Sequence, residues 1–504
     1  MFWQPVLGIV FFLGVAVLFS ADRRAIPWRV VVVGLLLQFL LAALVLHVPW
    51  VRSGVELVGM FFVQLLGFTS EGTRFLFGSL LDERSHGMIF ALSVLPSIVF
   101  FSAFSAALYY LGILQVIVHG MAWVFTKTMR LSGPETLSAS ANVFLGQTEA
   151  PLLIRPWLAG MTKSEILCVM IGGMATVAGA VMIAYISLLG GSDPEQQLVF
   201  ATHLLTKSVI TVPAALMIAK ILLPQTEPVD TSLRVAEESN GVNLLDAICR
   251  GTTDGVKLAV NVGAMLLVFT ALVALVNHVL EGWIGGATGL NVWVREWSGG
   301  IFDGFSLDFL LGLLFAPVAW LMGISGDAVM VSGALLGERT VLNEFVSFVK
   351  LGELKATGAF ADPRNLMILT YALAGFANIV SIGVQIGGIG ALAPSQRETL
   401  ARFGWRALLG ASLACFMTGA VAGLVGSMWG CSVAVPGDGC YRERPAARMP
   451  PLQDAETHCP KLAWMPRAVR RSGVIVPVTG MPFCIWYCSM APAQEVALPS
   501  MGPV

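Results

Sequence analysis

Runs of about twenty apolar residues recur from the start of this chain to about residue 428. A run of that length crosses the ~30 Å hydrocarbon core of a bilayer as a helix. Inside lipid every backbone N–H and C=O must be satisfied by protein, so the chain is restricted to a bundle of spanning helices, with irregular backbone only where it is buried in protein or lines a cavity. Composition agrees: 56% of residues are hydrophobic and 12% charged, where a soluble domain carries roughly 25% charge. The formal net charge of -1 gives no basic footprint for nucleic acid.

The first apolar run, 2–20, is followed, not preceded, by Arg23, Arg24 and Arg29. A secretory signal has the opposite order, so the run is read as a retained span. The positive-inside rule then puts the arginine loop in the cytoplasm and the N-terminus outside. A second span is expected over 30–48, and an amphipathic, charged interfacial helix over 51–78. Residues 87–118 read as one span, followed by a short link at 122–133. Residues 134–165 are polar, rich in small residues and interrupted at Gly146 and Pro151, so each arm is too short to cross and the segment reads as a re-entrant hairpin. Spans at 166–189, with "GGMATVAGA" in its middle, and at about 199–223 complete the first half.

The second half echoes this order. It runs through an interfacial helix at 243–255, a span at 256–280, and a second hairpin over 306–350 broken around Pro317 and Gly323–Gly326. A span at 366–392 with Gly375 and Asn378 at its centre and a last span at 403–426 follow. The expected fold is all-α and polytopic: about eight transmembrane helices, two re-entrant helical hairpins, interfacial helices and two pseudo-repeats. Its parts are scaffold spans with the interfacial helix at 1–130, the first hairpin and broken span at 131–225, an interfacial helix and scaffold span at 226–300, and the second hairpin, broken span and last span at 301–428. Broken segments in corresponding places of two halves point to a transport site at the membrane midplane.

A carboxylate at bilayer depth costs at least ~2.5–3.5 kcal/mol. Glu149, beside Gln147 and Thr148, and Glu344, beside Asn343, both lie in the hairpins. Each could sit in water at a hairpin mouth; together, each upstream of a glycine-broken span, they favour a lined polar cavity. The broken centres "ATVAGAV" and "GFANIVSIG" would free carbonyls for a cation and amides for a substrate's acceptors. Asn142 and Thr176 could add side-chain oxygens, the alternative being polar residues that only pack helices. Cys168, Cys249 and Cys415 are scattered in apolar segments, where a thiol acts as a small hydrophobe.

"GQTEAPLLIRP" (146–156), "LNEFV" (342–346) and "YALAGFANIVSIGVQIGGIGALAPSQR" (371–397) resemble the signature segments of the concentrative nucleoside transporter family, in its bacterial, sodium-coupled form. The resemblance covers about residues 1–425 in segment order and is dense over 133–186 and 338–392. It implies a homotrimer of protomers with a scaffold and a moving transport domain, importing nucleosides by cation symport in elevator fashion. It implies that Gln147, Thr148, Glu149, Val181 and Phe376 meet the nucleobase, and that Glu344, Asn378 and Ser381 hold the ribose. It implies a sodium site at Asn142, Leu145, Thr176 and Val177, the second and fourth through backbone carbonyls, with Thr176 where the sodium-coupled pattern has serine. No cofactor beyond the coupling ion is implied. Proton coupling, and symport of another small polar solute, stay open beside sodium–nucleoside symport, as do purine and pyrimidine substrates.

The rival from another class is an intramembrane serine protease, suggested by "GISG" at Gly323–Gly326. A nucleophilic serine needs a base within hydrogen-bond reach, and His119, His203 and His278 occupy no matching context, so an enzyme is not expected.

From Cys431 the composition changes. The last 74 residues hold 11 of 25 prolines and 5 of 8 cysteines, with no periodicity. That density of proline breaks regular structure, and the spacings around His458 and Cys459 match no zinc pattern. Residues 429–504 are expected to be disordered or read out of frame. A protein ending at Ser427 should then reach the membrane and transport at the rate of the full chain; membrane-inserted but inactive protein would contradict this.

Overall fold

A computed structural model describes residues 3–428, apart from 82–84, 86–88, 231–232, 234–241, 327 and 361. The expectation for the proline- and cysteine-rich tail lies outside the described residues. Every regular element among them is helical. The principal helices are α1 (Trp3–Leu18), α2 (Trp28–His47), α3 (Pro49–Phe77), α4 (Leu95–Tyr110), α5 (Ile113–Met129), α6 (Gly133–Ala141), α7 (Lys163–Ala175) and α8 (Gly179–Gly190). They continue with α9 (Pro194–Leu222), α10 (Leu244–Asn277), α11 (Leu307–Leu321), α12 (Ala328–Val341), α13 (Glu344–Ala356), α14 (Pro363–Leu373), α15 (Ile379–Leu392) and α16 (Arg397–Met428).

Seven described helical stretches are long and apolar enough to cross a membrane, counting α7 and α8 as one, while α1 is shorter at 16 residues. The chain is a multi-pass membrane protein. The apolar stretches fall into two groups. All of the most apolar window of 163–190 is buried, and 94% of those in α9 and α16, against 11% of the one in 244–288. Helices α7, α8, α9 and α16 thus form an inner bundle enclosed by protein. Helices α2, α3, α4 and α10 are outer and carry their apolar side chains, Val260, Leu267 and Leu275 among them, on the surface.

Local sequence explains most of the breaks, including those that differ from the sequence reading. The span expected over 87–118 ends at Tyr110 because Gly112 takes a left-handed φ of +78°, and the presumed link at 122–133 is mostly the end of α5. Residues 243–255 and 256–280, read from sequence as two separate helices, are continuous. They belong to the long α10, capped by Asn243, whose side chain accepts from the Asp246 N–H at 2.9 Å. Gly251 and Gly255 serve there as contact points: a Cβ on either would come within 3 Å of α4 at Ala103, Ala106, Val99 or Ser102. Pro317 does not break the second hairpin but stays inside α11. The chain turns first at Met322–Gly326 and again at Leu342–Asn343, where the Asn343 side chain caps α13 by accepting from the Val346 N–H at 3.0 Å. Glu344 is therefore the first residue of α13, at a hairpin tip.

The inner bundle holds paired charges. The Lys220 ammonium lies 2.6 Å from Glu135 with both side chains 1% exposed, and it also donates to Ser164 at 3.0 Å. Glu135 in turn closes a capping box with Ser132 at the start of α6. Removing one member of such a pair strands the other charge, at a cost of about 3–5 kcal/mol, whereas replacing both with apolar groups is often neutral. Glu135→Ala should therefore sharply lower the thermal unfolding temperature of the purified protein, and Glu135→Leu combined with Lys220→Met should recover most of the loss.

Candidate functional site

Two hairpins and two broken helices meet inside the inner bundle. Helix α6 ends at Asn142, and the chain turns through 143–149 before the short helical turns at Ala150–Ile154 and Arg155–Leu158. Between α7 and α8, residues Thr176–Ala178 are extended, Thr176 having φ −104° and ψ 172°. Between α14 and α15, residues 374–378 are non-helical, and Asn378 starts α15 by accepting from the Ser381 N–H at 2.9 Å.

The two breaks cross. The Phe376 N–H donates to the Thr176 carbonyl at 3.4 Å, and a Cβ on Gly375 would lie 2.8 Å from the Ala175 carbonyl oxygen. Only a glycine lets the backbones come this close. The first hairpin is tied to the same place, since the Gly179 N–H donates to the Phe144 carbonyl at 2.9 Å.

A line of polar side chains runs across this junction. The Gln147 amide donates to the Ser381 hydroxyl at 3.2 Å. Asn378 donates through Nδ2 to one Glu344 carboxylate oxygen at 2.7 Å, and the Tyr185 hydroxyl donates to the other at 3.2 Å. All five side chains are buried, the Gln147 amide oxygen having no hydrogen-bond partner. An unpaired buried acceptor costs ~1–3 kcal/mol, so this atom is poised to receive a donor from a ligand. Gln147, Glu344, Asn378 and Ser381, expected together, are brought together. Val181 is buried one turn before Tyr185 on α8, and Phe376 is half-buried at the crossing. Half-buried Thr148 packs against Gly388 of α15, where a Cβ would meet its methyl at 2.5 Å.

Glu149 stands apart from this line. It is exposed, its carboxylate folds back to accept from the Gly146 N–H at 2.9 Å, and it opens on a separate cavity of about 250 Å³ bordered by Phe144, Leu145, Ala178, Arg250 and Asp254. The tight turn at the hairpin tip holds the carboxylate that the family resemblance implies for the base. The sequence reading also passed over Tyr185 and Gln385. Gln385 donates to the Met170 carbonyl at 3.0 Å and would lie 2.8 Å from a Cβ on Gly173. The spacing Asn378, Ser381, Gln385 puts three polar groups on one face of α15, which was the available signal. Tyr185 stacks on Phe348, centroids 3.9 Å apart, which aims its hydroxyl at Glu344.

Beside the crossing lies a second donor set. Asn142 spends its amide hydrogens on the Ser138 carbonyl at 2.9 Å, and its Oδ1 is buried without a hydrogen-bond partner. It faces Gly172, where a Cβ would lie 3.7 Å from Nδ2, one turn before Thr176. The Thr176 hydroxyl donates to the Gly172 carbonyl at 2.8 Å, leaving its lone pairs free to accept. Leu145 and Val177 are buried on the same stretches of chain. An amide oxygen, a hydroxyl and carbonyls, with no carboxylate, suit a small hard cation.

Hairpins, crossed breaks and a buried polar line are the arrangement expected of a membrane transporter. The family model described as "Na+ dependent nucleoside transporter C-terminus" matches residues 203–423, its N-terminal counterpart residues 7–80, and "Nucleoside recognition" residues 91–192. An uncharacterized transporter of Haemophilus influenzae is 38% identical over 84% of this chain and 97% of its own length. The nucleoside permease NupC of Helicobacter pylori is 35% identical, over 83% and 96%. Solute carrier family 28 member 3 of human is 35% identical over 83% of this chain, which spans about three-fifths, 59%, of that relative. The structure of CNTnw in an inward-facing substrate-bound state superposes with a TM-score of 0.75 at 36% identity, covering 86% of this chain and 99% of that one. A variant of CNTnw in an outward-facing state gives 0.77 at 35% identity, covering 84% and 98%. The chain belongs to the concentrative nucleoside transporter family, a family of transporters and not of enzymes. Ser325 of the "GISG" stretch lies in the exposed turn between α11 and α12, its carbonyl accepting from Asn365 at 3.3 Å.

The crossing predicts a specific sensitivity. Gly375→Ala puts a methyl group against the Ala175 backbone and the Cys415 sulfur at 2.9 Å, with no flexible neighbour able to yield. A displacement of the reacting geometry by ~1 Å can cost about 100-fold. Transport by this variant should fall by one to two orders of magnitude (~10–100-fold) while membrane insertion stays normal; Gly383→Ala, which meets nothing within 4 Å, should transport normally.

Proposed function

We propose that this protein imports nucleosides across a bacterial inner membrane by sodium symport, as a homotrimer working by an elevator motion. The observation that carries the reading is the buried line Gln147–Ser381–Asn378–Glu344–Tyr185 set beside the unpartnered Asn142 oxygen. Glu344 and Asn378 can pair with the vicinal hydroxyls of a ribose, one as acceptor and the other in either sense. Ser381 completes the sugar side. Gln147 and Thr148 offer donor and acceptor groups to the edge of a base, while Val181 and Phe376 supply its apolar walls. Glu149 reaches the base only on release from the Gly146 N–H. The sodium ligands are Asn142 Oδ1, the Thr176 hydroxyl and the carbonyls of Leu145 and Val177. Sodium held there ties the first hairpin to the first break, so that binding the ion firms the surface on which the base rests.

The two groups of helices support the elevator. The enclosed inner bundle carries the site, and the outer helices, with apolar faces toward lipid or neighbouring protomers, supply a frame. CNTnw has been solved in inward-facing, intermediate and outward-facing states. The arginines after α1 favour a periplasmic N-terminus.

One cation moving with a neutral nucleoside makes transport electrogenic. A charge crossing 100 mV is worth ~2.3 kcal/mol, which at ~1.4 kcal/mol per tenfold supports roughly 40-fold accumulation. In proteoliposomes, labelled uridine uptake should follow an inward sodium gradient. Asn142→Ala should raise the half-saturating sodium concentration about tenfold, the effect of one lost partner. Uptake equal in choline with only a pH gradient would mean proton coupling, and uptake of amino acids or dicarboxylates in place of uridine would refute the substrate. Glu344→Gln should weaken ribonucleosides by about tenfold or more and deoxynucleosides less; equal loss for all sugars would refute its assignment to the ribose.

A further inference from the structure

Charges buried in protein are ordinarily paired with opposite charges. Lys220 is paired with Glu135, and Lys350 with Asp308 and Glu338. Lys207 and Arg339 are both fully buried, and among the described residues neither is in a salt bridge. Both are spent on backbone carbonyls instead, and on the same kind of carbonyl. The Lys207 ammonium, from α9, donates to Ala175 O at 2.8 Å, the last residue of α7 before the first break. Arg339, from α12, donates through Nη1 to Ala372 O at 2.5 Å, at the end of α14, and through Nη2 to Ala377 O at 3.4 Å, within the second break.

A helix that stops inside the membrane leaves its last carbonyls without partners and presents the negative end of its dipole. A cation there meets both demands. Helix α16 braces the two contacts from one side: Cys415 donates to the same Ala175 carbonyl at 3.3 Å, Ser412 receives Arg339 at 3.3 Å, and the Phe416 ring lies 5.2 Å under the guanidinium. The contact partners differ in what stands next to them. Ala175 is followed by Thr176 and Val177 of the cation donor set, and Ala377 by Asn378 of the sugar side.

We propose that Lys207 and Arg339 are matched positioning residues, one for each broken helix: Lys207 fixes the backbone that binds the coupling cation, and Arg339 fixes the backbone that presents Asn378 to the nucleoside. Without Lys207, Ala175 O keeps only the weaker Cys415 thiol donor, and the adjoining donors lose their alignment. Without Arg339, the second break loosens on the substrate side. This inference rests on the sodium–nucleoside reading above.

The test measures initial uptake of labelled uridine by the full-length protein in proteoliposomes, varying sodium at saturating uridine and uridine at saturating sodium. Lys207→Met should raise the half-saturating sodium concentration about tenfold and leave the uridine KM within about twofold. Arg339→Met should do the reverse. Arg339→Lys, which keeps the charge but not the two-armed reach to both carbonyls, should raise the uridine KM by an intermediate factor, and it carries the Arg339 arm if the methionine variant does not fold. Lys207→Arg, which keeps a cation against Ala175 O, should stay within about threefold of wild type in half-saturating sodium, and it carries the Lys207 arm in the same way. Variants with reduced amounts of folded protein but wild-type constants would show a purely structural role and overturn the proposal, as would equal shifts of both constants in both variants. Wild-type uptake that ignores sodium would contradict the sodium reading together with the Lys207 half, whereas loss of the crossed pattern with sodium-driven wild-type uptake contradicts this inference alone.

Discussion

The structure depends on one crossing of unwound backbone, where Ala175 and Thr176 meet Gly375 and Phe376. Each break exposes amides and carbonyls that lipid cannot satisfy. The chain answers within the protein. One break donates to the other through Phe376, the first hairpin accepts from the start of α8, and Asn378 caps α15. Two buried side-chain oxygens near the crossing, Gln147 Oε1 and Asn142 Oδ1, have no hydrogen-bond partner. The proposed nucleoside and cation sites lie where two broken helices have met most of their own hydrogen-bonding demand and leave these two acceptors open.

In the proposed nucleoside site the same constraint bears on selectivity. A site that has committed buried groups to a ligand's hydroxyls rejects an analogue lacking them far more strongly than an apolar pocket rejects a missing methylene. Glu344 lies at a hairpin tip, 3% exposed, held by Asn378 and Tyr185. Its orientation is fixed before any ligand arrives, because Tyr185 is itself locked against Phe348. Preorganisation of this kind reduces the ordering cost of binding. The enclosed inner bundle carries the proposed site, and the outer helices carry surface apolar faces.

Much of the site was legible in sequence because its residues sit at breaks, and breaks announce themselves through Gly, Pro and polar residues in apolar runs. Gln147, Glu344 and Asn378 stand out that way, whereas Ser381 is implied only by the family resemblance. The continuity of α10 was not legible: Gly251 and Gly255 resemble helix breakers, but their role is to let α4 approach, which only the tertiary contact reveals. Pro317 misled for the converse reason, since a proline can stay inside a helix when the surrounding protein tolerates the lost bond. The family resemblance implies Glu149 at the base beside Gln147 and Thr148; the fold of its carboxylate onto the Gly146 N–H is a feature of the local turn that the sequence does not announce. Lys207 stands out in sequence as a charge inside an apolar span, but neither its partner nor that of Arg339 is legible, because the carbonyls they hold lie 32 and 33 or more residues away in the chain.

The most direct test is an experimental density map of the purified protein with uridine and sodium bound. The account predicts the ribose hydroxyls against Glu344 and Asn378, the base edge at Gln147, and a cation between Asn142 Oδ1 and Thr176. Uridine seated instead in the cavity beside Arg250 and Asp254, with the Gln147–Ser381 and Glu344–Asn378 hydrogen bonds undisturbed, would contradict it.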